Sequence, residues 1–171
     1  MAPRPRGPRL RDLDPEVFAA DVAMEFRDAA RPVLAACGSD ELPLDPREMP
    51  AHAALYALCS NAQHGHGVAY WAARVRSDLV LLAPVFALLP STKLETPLGL
   101  VRAAAEARIA IDDLLPVEIV GIAALAGLHP QRVRARVAAC ALRRLATGAI
   151  RVQSAIAFLR AYGVPGLPPM T

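Results

Sequence analysis

The sequence predicts an all-α fold, and two features of the chain lead to this prediction. In successive segments the apolar residues recur every three or four positions, which would place them on one face of a helix. Residues that commonly begin or end helices stand between these segments: Asp14, Pro15, Gly38, Pro50, Thr96, Pro97, Gly127, Pro130 and Gly163. We expect an N-terminal helical bundle followed by shorter C-terminal helices, with a trace of β structure around Gly148.

The first helix of the bundle is expected to begin at Asp14-Pro15, where the carboxylate can accept hydrogen bonds from free backbone N–H groups. Pro32 is expected to end or kink this helix. Residues 39–50 are rich in proline and acidic residues and predict a loop. Five residues are expected on the buried face of the helix: Val17, Phe18, Val22, Phe26 and Ala29.

Three further helical regions are expected at about residues 50–63, 68–89 and 97–113, with a break near Pro84. The last of them would begin at Thr96-Pro97 or at a Thr-x-x-Glu capping box that starts at Thr92. Apolar spacing predicts the buried residues of these helices: Ala54, Leu55, Leu58, Cys59, Tyr70, Trp71, Val75, Leu79, Leu82, Val85, Phe86, Leu98, Val101, Ala105 and Ile109.

Residues 117–137 predict two short helices joined by a tight corner. Gly127 would end the first helix, Pro130 would begin the second, and Glu118 and Gly121 are expected to face away from the core. The apolar stripes of the two helices would pack against each other and the core: Ile119, Ile122, Ala123, Ala126, Val133 and Val137.

This arrangement resembles the helix-turn-helix of DNA-binding regulators, and the residues that carry the resemblance are Ala123, Gly127, Leu128 and Val133. Residues 142–152 and 153–164 are similar to the wing-like ribbon and closing helix of small bacterial and phage regulators of the excisionase and MerR-like kind. His129 stands where these proteins usually carry a capping Ser or Thr. The resemblance covers residues 114–165 and implies that the second helix enters the major groove of DNA.

Charge is distributed unevenly along the chain, although the formal net charge is only +3. Residues 12–50 contain ten acidic residues and three arginines, whereas residues 119–171 contain seven arginines and no acidic residue. The basic end coincides with the helix-turn-helix resemblance, as expected of a surface that binds phosphates. The Arg/Pro-rich start is expected to be a solvated arm, with contact to a DNA minor groove as the alternative.

The sequence therefore favours non-catalytic, sequence-specific binding of double-stranded DNA, in gene regulation of a bacterium or phage. The candidate base contacts lie near the start of the second helix: Gln131, Arg132, Arg134 and Arg136. The candidate phosphate contacts follow it: Arg143, Arg144 and Arg151. Two alternatives stay open. The basic face is simply solvated, or the protein is an adaptor that binds an acidic protein through this face.

We expect a basic arm at residues 1–13, a bundle at 14–113, the helix-turn-helix domain at 114–165 and a tail at 166–171. The bundle is expected to form a homodimer, because residues 79–89 are apolar without any charge and because regulators commonly pair two half-sites. The alternative is a monomer in which this stretch is the centre of the bundle.

Other classes of function are not indicated. No serine, histidine and aspartate stand in a recognisable catalytic context, no glycine-rich phosphate loop is present, and no cofactor is expected. Cys59, His64 and His66 are metal-ligand types, but their spacing matches no structural zinc site and a fourth ligand is missing. Cysteines in no paired motif and the lack of a secretory signal favour the cytoplasm. The longest apolar run has twelve residues, against roughly 20 for a membrane span.

Overall fold

The computed structural model describes residues 8–38, 42–65, 69–91, 94–139 and 142–169. The helices in these ranges are α1 (Pro15–Ala36), α2 (Pro50–His64), α3 (Ala69–Leu81), α4 (Ala83–Leu88), α5 (Pro97–Asp112), α6 (Ile119–Ala126), α7 (Pro130–Ala138) and α8 (Val152–Ala161). Short 3-10 turns precede α1 and α2, at Leu10–Asp12 and Pro46–Glu48. Within the described ranges β structure is limited to isolated bridges around Ile150. The all-α prediction is confirmed for this part of the chain.

The start of α1 follows the prediction. Asp14 Oδ1 accepts hydrogen bonds from the backbone N–H groups of Glu16 and Val17, at 2.9 and 3.1 Å. Pro32 lies inside α1 and does not end it. The expectation that Val17 is buried is wrong, since it is 57% exposed. At about 100° per residue, Val17 points away from the face that α1 buries, which is formed by Phe18, Ala19, Val22, Ala23 and Ala30.

The later helix boundaries also follow local signals. Thr96 caps α5, because its Oγ1 accepts a hydrogen bond from Gly99 N at 3.1 Å. The break between α3 and α4 falls at Leu82, and Pro84 lies in the first turn of α4. Thr92, Val68 and the side chains of Tyr70 and Trp71 are outside what the structure describes. Most of the predicted inward residues of α2 to α5 are buried, while three are half-buried: Leu79, Phe86 and Ile109. In α1, Phe26 and Ala29 are also half-buried.

One hydrophobic core runs through the described residues, from Leu10 to Leu159. Helix α5 contacts α2 and α3 of the N-terminal half, and it also contacts α6 and α8 of the C-terminal half. Ala155, Ile156 and Leu159 form the buried face of α8, as predicted. The two halves of the chain therefore share α5 as a common support.

Arg108 on α5 is 2% exposed, and its guanidinium joins two distant parts of the backbone. Nε and Nη2 donate to the carbonyl oxygens of Ala62 and Gln63, at 3.3 and 3.2 Å. Nη1 donates to the carbonyl oxygens of Pro165 and Gly166, at 2.6 and 3.4 Å. Arg108 thus satisfies carbonyls in the last turn of α2, where a cation is favoured, and holds the segment that follows α8.

Two glycines make room for this junction. Gly65 and Gly166 have φ values of 66° and 64°, in the left-handed region that favours glycine. A Cβ atom on Gly65 would lie 2.6 Å from Arg108 Nη1, and one on Gly166 would overlap the carbonyl oxygen of His64. The backbone at Gly65 therefore approaches Arg108, and the backbones at Gly65 and Gly166 approach each other, more closely than any larger residue allows.

Replacing Arg108 with methionine should lower the free energy of unfolding by roughly 3 kcal/mol, because buried carbonyl oxygens would lose their donor. Urea unfolding followed by circular dichroism measures the change. Arg31→Met is the matched control, since the Arg31 side chain is 64% exposed and its loss should cost under about 0.5 kcal/mol. Equal unfolding free energies for the two variants would contradict the role given to Arg108.

Candidate nucleic-acid interface

The turn between α6 and α7 consists of Gly127, Leu128 and His129. Gly127 ends α6 with left-handed φ and ψ values of 64° and 33°, as predicted. Its N–H donates to Ala124 O at 3.3 Å, and Leu128 N donates to Ala123 O at 2.9 Å. This pair of hydrogen bonds satisfies carbonyls that the end of a helix leaves free, and it fixes the direction in which the chain leaves α6.

The expectation that Gly121 faces away from the core is wrong. Gly121 is buried against α5, where an added Cβ would lie 2.5 Å from Ala107 Cβ and 3.0 Å from Ala103 O. Helix α6 packs on α5 and on α7, so apolar residues cover nearly its whole circumference. Residues 119–128 contain no charged residue, which is the sequence signal for a helix that is buried over most of its surface. Val120 is the exception in α6, at 37% exposed.

Helix α7 begins at Pro130, as predicted, and His129 caps it through Nδ1, which accepts a hydrogen bond from Gln131 N at 3.3 Å. The imidazole therefore acts as the N-cap of α7, in place of the Ser or Thr that the helix-turn-helix resemblance would put at this position. Val133 is fully buried and Val137 is half-buried, so these valines pack α7 against the core as expected.

The outward face of α7 can be derived from its buried side. At about 100° per residue, the direction opposite Val133 and Val137 is occupied by Gln131, Ala135 and Ala138, all of which are exposed. Sequence reasoning missed Ala135, because an alanine carries no charge or hydrogen-bonding group to draw attention. A small side chain at this centre lets the helix backbone approach a flat or grooved partner closely.

The three arginines of α7 are all exposed but do not lie in one row. Arg132 and Arg136 are four residues apart and flank one side of the outward face, whereas Arg134 flanks the other side. The predicted site residues of α7 therefore surround Ala135 with positive charge on both sides.

A tight turn follows α7 around Gly148, where the wing-like ribbon was expected. Leu145 N donates to Ala149 O at 2.8 Å, and Gly148 N donates to Leu145 O at 3.0 Å. Gly148 has a φ of 96°, and Arg144 Nε donates to its carbonyl oxygen at 3.1 Å. The side chain of Arg144 thus lies across the turn.

Ile150 joins this turn to the segment that precedes α6. It forms antiparallel bridges with both Arg144 and Val117. The bridge to Val117 has two hydrogen bonds, Val117 N to Ile150 O at 2.9 Å and Ile150 N to Val117 O at 2.8 Å. The β pairing is therefore short, but it fixes residues 143–151, which we call the ribbon, beside the start of α6.

Arg143 and Arg151 lie on the two sides of the ribbon. Arg151 N donates to Arg143 O at 2.9 Å, and Arg143 N donates to Ser154 Oγ at 2.9 Å. The structure thus brings together the three candidate phosphate contacts, Arg143, Arg144 and Arg151. Val152, which the resemblance places at the end of the extended wing-like ribbon, is instead the first residue of α8, so this expectation is wrong.

The arginines of residues 119–171 differ from those of the bundle in their partners. Exposed arginines of the N-terminal half pair with acidic side chains, for example Arg47 with Glu16 at 3.2 Å and Arg31 with Asp28 at 3.8 Å. In the part of the chain that the structure describes, no acidic side chain pairs with any of the following: Arg132, Arg134, Arg136, Arg143, Arg144, Arg151 and Arg160. These seven residues are all exposed, and Arg160 instead donates to the carbonyl oxygen of Pro168.

Among the described residues, the side chains considered as metal ligands do not form a common site. Cys59 is fully buried, His64 is exposed, and His66 lies outside the described residues. Burial, together with the nearby charge of Asp14, raises the pKa of the Cys59 thiol to about 12, so this thiol stays protonated at neutral pH. No group of three or more His, Cys, Asp or Glu side chains in the described ranges could hold a metal ion.

Comparisons of the chain with protein-family models, curated proteins and solved structures found no match. None of the helices in the described ranges combines the length and the hydrophobicity needed to cross a membrane.

Proposed function

We propose that this protein binds double-stranded DNA without catalysis, as a regulator of the bacterial or phage kind. The observation that carries the proposal is a set of seven exposed arginines that pair with no acidic side chain among the described residues. Six of them lie on α7 and the ribbon, which follow the glycine-terminated turn after α6, and the seventh, Arg160, lies on α8. Unpaired exposed cations raise the local potential and release counterions when they contact phosphates. The paired arginines of the N-terminal half offer no comparable surface.

In this proposal α6 and α7 act as a helix-turn-helix, and the outward face of α7 enters the major groove. The groove is about 12 Å wide and admits one helix. Gln131 would pair with adenine, and the arginines at positions 132, 134 and 136 would reach guanine from the flanks. Ala135 would lie at the floor of the contact, where its methyl group suits a thymine methyl.

The ribbon supplies the contacts that position the helix. Arg143, Arg144 and Arg151 would bind phosphates beside the groove, since they lie on a turn that is hydrogen-bonded to the start of α6. Contacts of this kind add affinity for every sequence and set the orientation of α7.

The runner-up proposal is an adaptor that binds an acidic protein through the same arginines. Both partners would bind less tightly as salt is raised, so salt dependence alone does not separate them. A substitution at position 135 separates the two proposals, because entry of α7 into the groove requires a small residue there and a duplex partner.

Full-length protein should bind a mixed-sequence duplex, with log K falling by about 0.9 per log unit of salt for each phosphate neutralised. Ala135→Glu should weaken binding by about 100-fold or more, because a carboxylate at the floor of the contact would face the bases and phosphates. Fluorescence anisotropy with a labelled duplex gives both quantities.

Ala53→Glu is the matched control, because Ala53 is an exposed helical alanine of α2, far along the chain from the candidate interface. It adds the same charge and should leave DNA affinity nearly unchanged. If the protein binds no duplex at low salt, the DNA proposal is wrong. If Ala135→Glu and Ala53→Glu lose the same amount of DNA affinity, α7 does not enter the groove.

Substitutions at Arg134 and Arg144 should distinguish an arginine that contacts bases from one that contacts phosphates. Arg134→Ala should cost roughly 1 to 3 kcal/mol on the preferred site and relax preference at one base pair. Arg144→Ala should weaken all sequences about equally and lower the salt slope by about one. Binding selections on a randomised duplex measure both effects, and identical behaviour of the two variants would show that the assignment of roles is wrong.

We also propose that the protein forms a homodimer through an exposed apolar patch at the junction of α3 and α4. Val80, Leu81 and Leu88 are 75%, 51% and 45% exposed there, and residues 79–90 contain no charge. A second copy is the partner that a symmetric DNA-binding regulator needs, because two half-sites improve specificity. This proposal rests on DNA binding.

Sedimentation equilibrium at micromolar concentration should give twice the monomer mass of 18.2 kDa, and Val80→Glu should give the monomer. A charge placed in an apolar interface is costly, whereas on the free monomer this exposed position tolerates it. Val33→Glu on α1, at a residue that is 54% exposed, is the control and should remain dimeric. A monomeric native protein would end the proposal.

A further inference from the structure

A cavity of about 400 Å³ lies where five parts of the chain meet: the 3-10 turn before α1, the end of α2, Arg108 of α5, the end of α6 and the segment after α8. This volume is within the range of small-molecule sites, roughly 300–1,000 Å³. Much of the wall is apolar, and its larger apolar side chains are Leu10, Leu13, Leu125, Tyr162 and Val164. The cavity is separate from the arginines of α7 and of the ribbon, none of which lines it.

The described wall of the cavity contains basic side chains and no acidic ones. Arg9, Arg11, His64 and Arg108 line the cavity, and no Asp or Glu is among its described lining residues. Arg11 Nε lies 3.7 Å from Asp12 Oδ1, but both side chains are mostly exposed, so water screens this pair. Arg9 forms no ion pair among the described residues. The cavity therefore combines an apolar surface with an excess of positive charge.

Arg108 makes this charge part of the fixed structure. Its guanidinium is held by backbone carbonyl oxygens of the α2 end and of the segment after α8. Burial lowers its pKa to about 10, with the charge of Asp112 acting in the opposite direction, so Arg108 remains a cation at neutral pH. A cation in this position favours an anion nearby over a neutral molecule of the same shape.

We propose that this cavity binds a small organic anion, one carboxylate, sulfonate or phosphate group carried on an apolar ring-sized body. The anionic group would lie near Arg9 and Arg11 at the edge of the cavity, and the apolar body would pack against Leu125 and Tyr162. A DNA duplex is far too wide to enter a space of this volume. The proposal is independent of DNA binding, because it uses none of the residues assigned to the duplex.

The probe that tests the proposal is 1-anilinonaphthalene-8-sulfonate, which fluoresces when its rings leave water and which carries one sulfonate. Its neutral analogue, N-phenyl-1-naphthylamine, has the same rings without the charge. Fluorescence titration of the full chain should give tighter binding of the sulfonate. In the double variant Arg9→Gln/Arg11→Gln the sulfonate should bind more than about tenfold more weakly, and the neutral analogue should bind as before.

The control is the double variant Arg31→Gln/Arg47→Gln, which makes the same change in net charge at side chains that are each 64% exposed and outside the cavity. It should leave both probes unchanged. Val33→Glu, at an exposed apolar residue of α1 that does not line the cavity, should also leave the sulfonate affinity unchanged.

Ala126→Phe should reduce binding of both probes, because Ala126 is a half-buried residue of the cavity wall and a phenyl ring would fill the space. Sodium benzoate should displace the sulfonate, and sodium chloride of equal ionic strength should displace less. The proposal is overturned if the Arg9/Arg11 variant binds the sulfonate as the native protein does, or if the control double variant weakens it equally. That comparison stands even where Ala126→Phe fails to fold, since circular dichroism identifies such a variant.

Discussion

The hydrogen bonds of Arg108 are the constraint on which much of this structure depends, because they connect elements that are far apart in sequence. The guanidinium reaches carbonyl oxygens of Ala62 and Gln63 from one side and of Pro165 and Gly166 from the other. A buried arginine is stable only when its N–H groups are hydrogen-bonded. Gly65 and Gly166 let the two backbone segments come close enough to the guanidinium to supply the acceptors. The same cation then forms part of the wall of the basic cavity.

Helix α5 carries this arginine and also supports α6, and this affects how the chain divides into parts. Gly121 of α6 lies against Ala107 of α5 without space for a Cβ, and the core is continuous across both halves. A fragment that begins at residue 114 would expose the apolar face of α6 that α5 covers. Any C-terminal fragment that contains α6 therefore needs α5 as well.

The helix boundaries were predictable from the sequence because local chemistry determines them. Asp14, Thr96, Gly127 and Pro130 act through their own backbone or through residues within about one turn. Arg108, Gly121 and Ala135 were not predicted. Arg108 depends on contacts between segments far apart along the chain, and Gly121 depends on the packing of α6 against the preceding helix α5. The role of Ala135 depends on which side of α7 is buried. Val17 was placed on the wrong side of α1 because its exposure, like the role of Ala135, depends on which face of the helix is buried. In α1 the buried face is rich in alanine.

The division of charge within the protein explains why a modest net charge can still favour a polyanionic partner. Acidic residues of the N-terminal half are partly neutralised by nearby arginines, as in the pair of Glu16 with Arg47. The described arginines after residue 118 have no such partners, so their field is directed outward from α7 and the ribbon. The remaining acidic surface of α1 would be repelled by phosphates, so the protein would approach DNA with its C-terminal face first. Orientation and attraction would then arise from the same arrangement of charges.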